Sequence, residues 1–408
     1  MEHDDHADED HADEDHADED HEDEHGHGEP TVFSNDSDEI GATFDLSSDD
    51  FAQKVSINML SEEASIAGSE AFMNPATSDE VTLGYYASTD IGQFTVDFGA
   101  RFDFIDREGS LSHEEEHHDE DHADEDHADE HHDDEHEMEY YSRSDNNTSL
   151  SLSISNELTD SLSFTLGLSN VERSPSVIEL FMNGAHMATG RYEVGNVNLM
   201  SETSNNIDLN FVYDNDGYFG TLSFFRNEVD NYIYLMDETE EEHEEHEEEH
   251  DHGGLTLAEY LQNDAKFTGY EFELGNSYQL ENGTLTATVG LDSIIGKFKE
   301  SQMFVPRMMP KRRFISLDYV SGDYSAGISY KKVELQDKVA EGETGTDGYG
   351  MLDLDASKSY ELGDGVSFRS TIFIKNLLDE TARNHTSFVK NEVPLAGRNV
   401  GFKFRITF

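Results

Sequence analysis

The chain has 408 residues and a formal charge of −67, from 92 acidic and 25 basic side chains. So acidic a surface attracts cations and excludes nucleic acid as a partner, because a phosphate backbone demands a basic footprint. Cysteine is absent, which removes disulfides, thiolate nucleophiles and cysteine-based zinc sites; no apolar run reaches the roughly 18 residues of a spanning helix, so a membrane could be crossed only by strands.

Residues 1–29 hold 7 histidines and 16 acidic residues with no Lys or Arg, on a repeating His-Ala-Asp-Glu-Asp unit that places His6, His11, His16 and His21 five apart. Acid alone would mark a solvated spacer, but histidine adds nothing to solubility at neutral pH. Imidazole beside carboxylate, without thiolate, suits Zn²⁺, Ni²⁺ or Cu²⁺. Helix neighbours lie three and four apart, so this spacing holds no fixed face. The tract is expected to bind several ions weakly, and less well as pH falls through about 6.5. The chain opens inside this run, without a basic start or an apolar segment, and so reads as the middle of a loop from a longer protein.

Strict two-residue alternation follows, the mark of strands. Strands are expected near 39–46, 51–60, 80–88 and 91–107; in the last, Phe94, Val96, Phe98, Ala100, Phe102 and Phe104 share one face. A second tract, 113–139, carries 8 histidines, among them His122, His127 and His131, and 16 acids. Strands near 140–157 and 160–170, a motif-rich loop, and strands near 201–213 and 217–236 come next. The third tract, 237–252, has 4 histidines, including His243, His246 and His250, and 11 acids. Strands near 265–280, 283–300, 311–320, 323–335, 348–362, 365–376 and 398–408 complete a set of about 15.

Short and long connections alternate. The short ones have turn chemistry, as in Asp214-Asn215-Asp216-Gly217 and Ser321-Gly322-Asp323, and the long ones include every His/acid run. An antiparallel meander puts alternate connections on opposite rims, which is the pattern of a transmembrane β-barrel with short inner turns and long outer loops. The expected fold is therefore all-β, an antiparallel barrel. Residues 1–38 form an outer loop, and 39–408 are barrel with outer loops at 108–139 and 237–264. Glu271 and Glu273 line a wet lumen. The first strand is left with an open edge or closes against the last one.

Two segments carry a resemblance. Glu172-Arg173-Ser174-Pro175-Ser176-Val177-Ile178-Glu179-Leu180-Phe181, with Asn183-Gly184-Ala185-His186 and Tyr192-Glu193-Val194-Gly195-Asn196, resembles a signature loop of TonB-dependent outer-membrane receptors. Asn376-Leu377-Leu378-Asp379-Glu380, Arg383-Asn384-His385 and Pro394-Leu395-Ala396-Gly397-Arg398-Asn399 resemble the last loop of that family. The resemblance implies about 15 strands of a 22-stranded barrel, with the plug missing, outer-membrane lipid around it, and coupling to the TonB complex. His/acid-rich outer loops are similar to those of the family's zinc-uptake branch. It implies import of a divalent metal, zinc first, with nickel or copper as alternatives; the metal is substrate, and no prosthetic group is expected. A receptor for a siderophore or haem, or a surface barrel that only buffers metal, stays open. Outside the tracts the only histidines are His186 and His385. Both are candidate ligands, with Glu193 beside the first, although each could serve only in packing or hydrogen bonding. No phosphate-binding glycine set or fixed acid–base pair points to an enzyme.

Overall fold

The computed structural model describes residues 30–68, 71–113, 137–239, 254–363 and 365–408. Its strands form one 17-stranded sheet. In chain order they are β1 (Val32–Asp45), β2 (Ala52–Ala67), β3 (Ala76–Ile91), β4 (Phe94–His113), β5 (Glu137–Thr159), β6 (Leu162–Arg173), β7 (Asn183–His186), β8 (Arg191–Val194), β9 (Glu202–Asn215), β10 (Tyr218–Asp237), β11 (Thr256–Leu280), β12 (Gly283–Phe298), β13 (Arg312–Ser321), β14 (Tyr324–Val333), β15 (Tyr349–Gly363), β16 (Val366–Lys375) and β17 (Asn399–Thr407). Apart from the short β7 and β8, each strand pairs antiparallel with its neighbour, β6 passing directly to β9. The long strands correspond one to one with those expected from alternation.

The alternation has the physical sense of a barrel wall. Phe94, Phe98, Phe102 and Phe104 are exposed on the outer surface. On the opposite face of β4, Asp103 is buried, accepting from Thr82 at 2.6 Å and Arg101 at 2.7 Å. The exposed row on β17, Val400, Phe402, Phe404 and Ile406, continues the same apolar belt. In the β9–β10 turn both Asp216 and Gly217 have positive φ, at 49° and 84°, the mirror-type turn that matches strand twist.

By the parity of these ladders the strand ends flanking 114–136 and 240–253, and the start of β1, lie on one rim. Every long connection is there. The bounds of the loops shift, however: β1 begins at Val32, β4 runs to His113 and β11 starts at Thr256, so strands rise further toward that rim than apolar alternation alone suggested. Among the described residues β1 pairs only with β2 and β17 only with β16, and all of β1 is exposed. The described sheet is thus open at both edges, as expected of the first strand.

The connection from β6 to β9 does not project outward; it folds in against the wall. Its helix α1 (Val177–Phe181) starts where Ser176 accepts from Glu179 N and the Glu179 carboxylate accepts from Ser176 N, a reciprocal cap that satisfies two otherwise orphaned donors. Arg173 holds that same carboxylate at 2.8 Å. Leu180, Phe181 and Met182 pack with Ile66, Phe72, Met73, Ala76, Leu199 and Ile233. The floor under Phe181 is Gly109: a Cβ there would lie 2.5 Å from its ring. Gly109→Val is therefore expected to lift α1 at a cost of about 1–3 kcal/mol, read as faster hydrogen exchange over 174–201 with the strand amides unchanged. Unaltered exchange there would refute this packing.

Candidate functional site

Within this insert β7 and β8 form a hairpin. One side is tied to the β2–β3 loop, where Asn183 N donates to Phe72 O at 2.8 Å, and to β4, where Asn183 Nδ2 donates to Ser112 O at 2.9 Å. The other side docks in parallel on β11, Arg191–Val194 against Thr256–Glu259, a stretch of β11 that lies beyond its ladder with β12. The hairpin is thereby strapped between the β2–β3 loop and β4 on one side and β11 on the other.

His186 ends β7 with its ring stacked on Phe72, centroids 4.3 Å apart and planes 20° from parallel. Its Nδ1 lies 2.9 Å from Glu193 Oε1, which also accepts from Thr189 Oγ1 at 2.8 Å. Glu193 is only 4% exposed. A carboxylate oxygen accepts, so Nδ1 is assigned as the donor from the hydrogen-bond network, and in the neutral imidazole the lone pair then sits on Nε2. Nε2 has no partner among the described residues, and the side chain is about one-quarter exposed, at 23%. This is the arrangement by which a carboxylate orients a metal-ligating histidine. Glu193, the candidate partner of His186, stands behind the imidazole, its Oε1 within hydrogen-bond distance of His186 Nδ1 and Thr189 Oγ1.

His385 has different surroundings. It is 1% exposed, its Nδ1 sits 3.0 Å from Thr346 Oγ1, and its Nε2 is 3.1 Å from Glu343 Oε1 but out of line for a good hydrogen bond. Glu343 Oε1 also takes Lys390 Nζ at 2.7 Å, and the carboxylate accepts from the backbone of Arg307 and Ala340. Burial alone would push this carboxyl up. The close approach of His385 and the donors of Lys390 and Ala340 outweigh burial and hold it at about 2. Three long connections, 299–311, 334–348 and 376–398, meet at this one group.

Between the hairpin and this cluster lies a cleft of about 520 Å³ whose lining includes Thr189, Arg191, Asp237, Arg307, Phe388 and Lys390. Arg191 grips Asp237 with two hydrogen bonds, 2.8 and 2.6 Å. Both Arg191 and Arg307 lie over the Phe388 ring, 4.8 and 4.3 Å from its centroid. Burial lowers the pKa of Arg307 despite Asp237. No motif in the sequence singled out Arg191, Arg307 or Phe388; only the fold brings them together.

The tract histidines His6, His11, His16, His21, His122, His127, His131, His243, His246 and His250 lie outside the described residues. Among the described residues no three His, Asp or Glu side chains converge as a metal cage. What they offer is one oriented imidazole with a free nitrogen.

Residues 12–377 match the family described as TonB dependent receptor-like, beta-barrel. The chain is 27% identical over 256 residues to heme/hemopexin utilization protein C of Haemophilus influenzae (strain 86-028NP), covering 58% of this chain and 34% of that protein. In structure it is similar to copper transporter OprC, with a TM-score of 0.70 at 18% identity over 92% of this chain and 58% of that one. It is also similar to a double mutant of the Serratia marcescens hemophore receptor HasR in complex with its hemophore HasA and heme, at TM-score 0.59 and 15% identity, with 92% and 58% covered. The chain spans about a third of the length of the curated relatives it matches, and the structural likenesses establish the fold. By its family match and its strand meander, the chain belongs to the TonB-dependent receptor β-barrel family.

Proposed function

We propose that the chain is barrel from an outer-membrane receptor that imports a metal-bearing substrate under TonB coupling, gathering metal on His/acid-rich outer loops and receiving it at His186. The observation that carries this reading is that the tract-bearing strand ends and the His186 hairpin lie at the same end of the sheet. A dense field of carboxylates and imidazoles there raises local cation concentration. The lone pair on His186 Nε2 then supplies a fixed ligand.

Two substrates compete. Free Zn²⁺, with Ni²⁺ or Cu²⁺ as alternatives, is favoured by the ligand chemistry of the tracts, but it needs about four ligands, so three would have to come from beyond the ordered imidazole. A haem or other chelate arrives with most of its coordination filled and needs only one histidine. That second reading is supported by the similarity to a protein named for heme/hemopexin utilization. In either case the metal is cargo, and His385 acts in packing.

The two separate cleanly in cells. With the full-length receptor as sole importer, the first reading expects recovery of zinc-limited growth that falls when the tracts are deleted. The second expects growth on haem as iron source that survives tract deletion and fails with His186→Ala. Growth on both substrates unaffected by His186→Ala would overturn the assignment of the site.

A further inference from the structure

We propose that the cleft at Phe388 is a carboxylate subsite, in which Arg307, with Arg191 beside it, takes an acidic arm of a chelate whose metal meets His186. The inference rests on His186 being the metal ligand, and it decides between the two substrates in favour of the chelate. Subsite and imidazole are neighbours. His186 and Arg191 stand directly opposite across the β7–β8 hairpin, and Thr189, which lines the cleft, links them. Its hydroxyl lies 2.9 and 2.8 Å from His186 O and Glu193 Oε1, while its carbonyl accepts from Arg191 Nη1 at 2.5 Å. The volume, about 520 Å³, falls in the roughly 300–1,000 Å³ range of small-molecule sites.

Arg307 is pinned in place and left short of counter-charge. Its φ of 56° lies in the left-handed region, which a residue with a Cβ keeps only where the surrounding structure holds it there. Glu343 does so, taking the Arg307 amide with both carboxylate oxygens at 3.0 and 3.1 Å. The side chain then lies over Phe388, 4.3 Å from the ring centroid, with Nη2 donating to Leu235 O. Nε and Nη1 make no hydrogen bond among the described residues, and Asp237 Oδ1 is 3.7 Å from Nη1. That carboxylate is already taken by Arg191, which grips it with two hydrogen bonds. A buried guanidinium that shares one carboxylate with a second guanidinium is underpaired, in agreement with the pKa of Arg307 being lowered by burial.

The other acids of the lining do not make up the difference. Glu343 Oε1 is engaged by Lys390 Nζ, Glu238 Oε1 accepts from Leu257 N at 2.6 Å, and Glu392 is exposed to solvent. A bare divalent cation gains nothing from two guanidiniums. An organic carboxylate does, because hydrogen bonds between ionised partners are about twice as strong as neutral ones and arginine is the side chain suited to that planar group. With the metal held at His186 the arm is tethered, so its local concentration in the cleft is high.

The test is titration of the full-length receptor in detergent with haem, whose carboxyl groups are free, and with its dimethyl ester, in which they are blocked. The native protein should bind the acid about tenfold or more tightly than the ester. Arg307→Gln should bring that ratio close to one; Glu343 holds residue 307 by its amide, so the fold is kept, which an unchanged melting temperature checks. Arg312→Gln removes a cation paired with Asp292 outside the cleft and should leave the ratio as it is. His186→Ala should weaken both forms alike at an unchanged ratio, so failure of the His186 reading, seen as no weakening, is distinct from failure of the subsite, seen in the ratio. Acetate at the same concentration should not compete, which separates a tethered arm from a free carboxylate. Equal binding of acid and ester by the native protein, a preference that survives in Arg307→Gln, its loss in Arg312→Gln, or displacement by equimolar acetate overturns the proposal.

Discussion

Replacing Glu343 with alanine is expected to loosen the mouth of the barrel by about 3–5 kcal/mol, the usual cost of removing one member of a buried charge pair. Lys390, about one-twentieth exposed, would be left without its carboxylate, and the backbone donors of Arg307 and Ala340 would lose their acceptor. The same group predicts a pH response. Its pKa is depressed from 4.5 to about 2, so its contribution is complete above pH 4.5 and is lost as pH falls through about 2. At about 1.4 kcal/mol per unit this amounts to roughly 3 kcal/mol. Hydrogen exchange in 299–311 and 376–398 should accelerate in the variant at pH 7, and in the native protein as it is acidified across that window. Native-like protection in Glu343→Ala would show that the three connections are held by something else.

Period-two patterning made the wall legible because a barrel strand has lipid on one face and water on the other, so every second residue is constrained. Where strands climb above the apolar belt that constraint ends. Val32–Glu39 reads Val-Phe-Ser-Asn-Asp-Ser-Asp-Glu, without alternation, yet backbone pairing to β2 extends it as strand; the first turns of β11 escaped for the same reason. The insert was legible as a motif but not as a structure. β7 and β8 are four residues each, too short for any period, and β8 finds its parallel partner more than sixty positions later in the chain. Likewise His186 and Glu193 stood out as residue types in a motif, but the order in which they act, carboxylate behind imidazole, exists only in the folded hairpin. His385 was visible as a histidine. Its confinement by Glu343, Lys390 and Thr346, contributed by two separate connections, was not.

Glu193→Ala is expected to lower affinity for a metal-bearing ligand by about 10- to 100-fold, the range found when the group orienting a ligating histidine is removed. His186→Ala should cost more, because it removes the lone pair itself. Glu193→Gln distinguishes orientation from ligation: the amide oxygen can still accept from His186 Nδ1 and from Thr189, so the imidazole keeps its tautomer and most of the affinity should persist. Were Glu193 itself the ligand, the glutamine variant would lose affinity much as alanine does, since a neutral amide oxygen is a far poorer donor to a divalent ion. Phe72→Leu should fall between, freeing the ring to turn while leaving Nδ1 bonded. Titration of purified full-length receptor with Co²⁺, and separately with haem, gives both affinity and an absorption band that reports nitrogen coordination. If the nitrogen-coordinated band persists in His186→Ala, the metal meets the protein somewhere other than this hairpin.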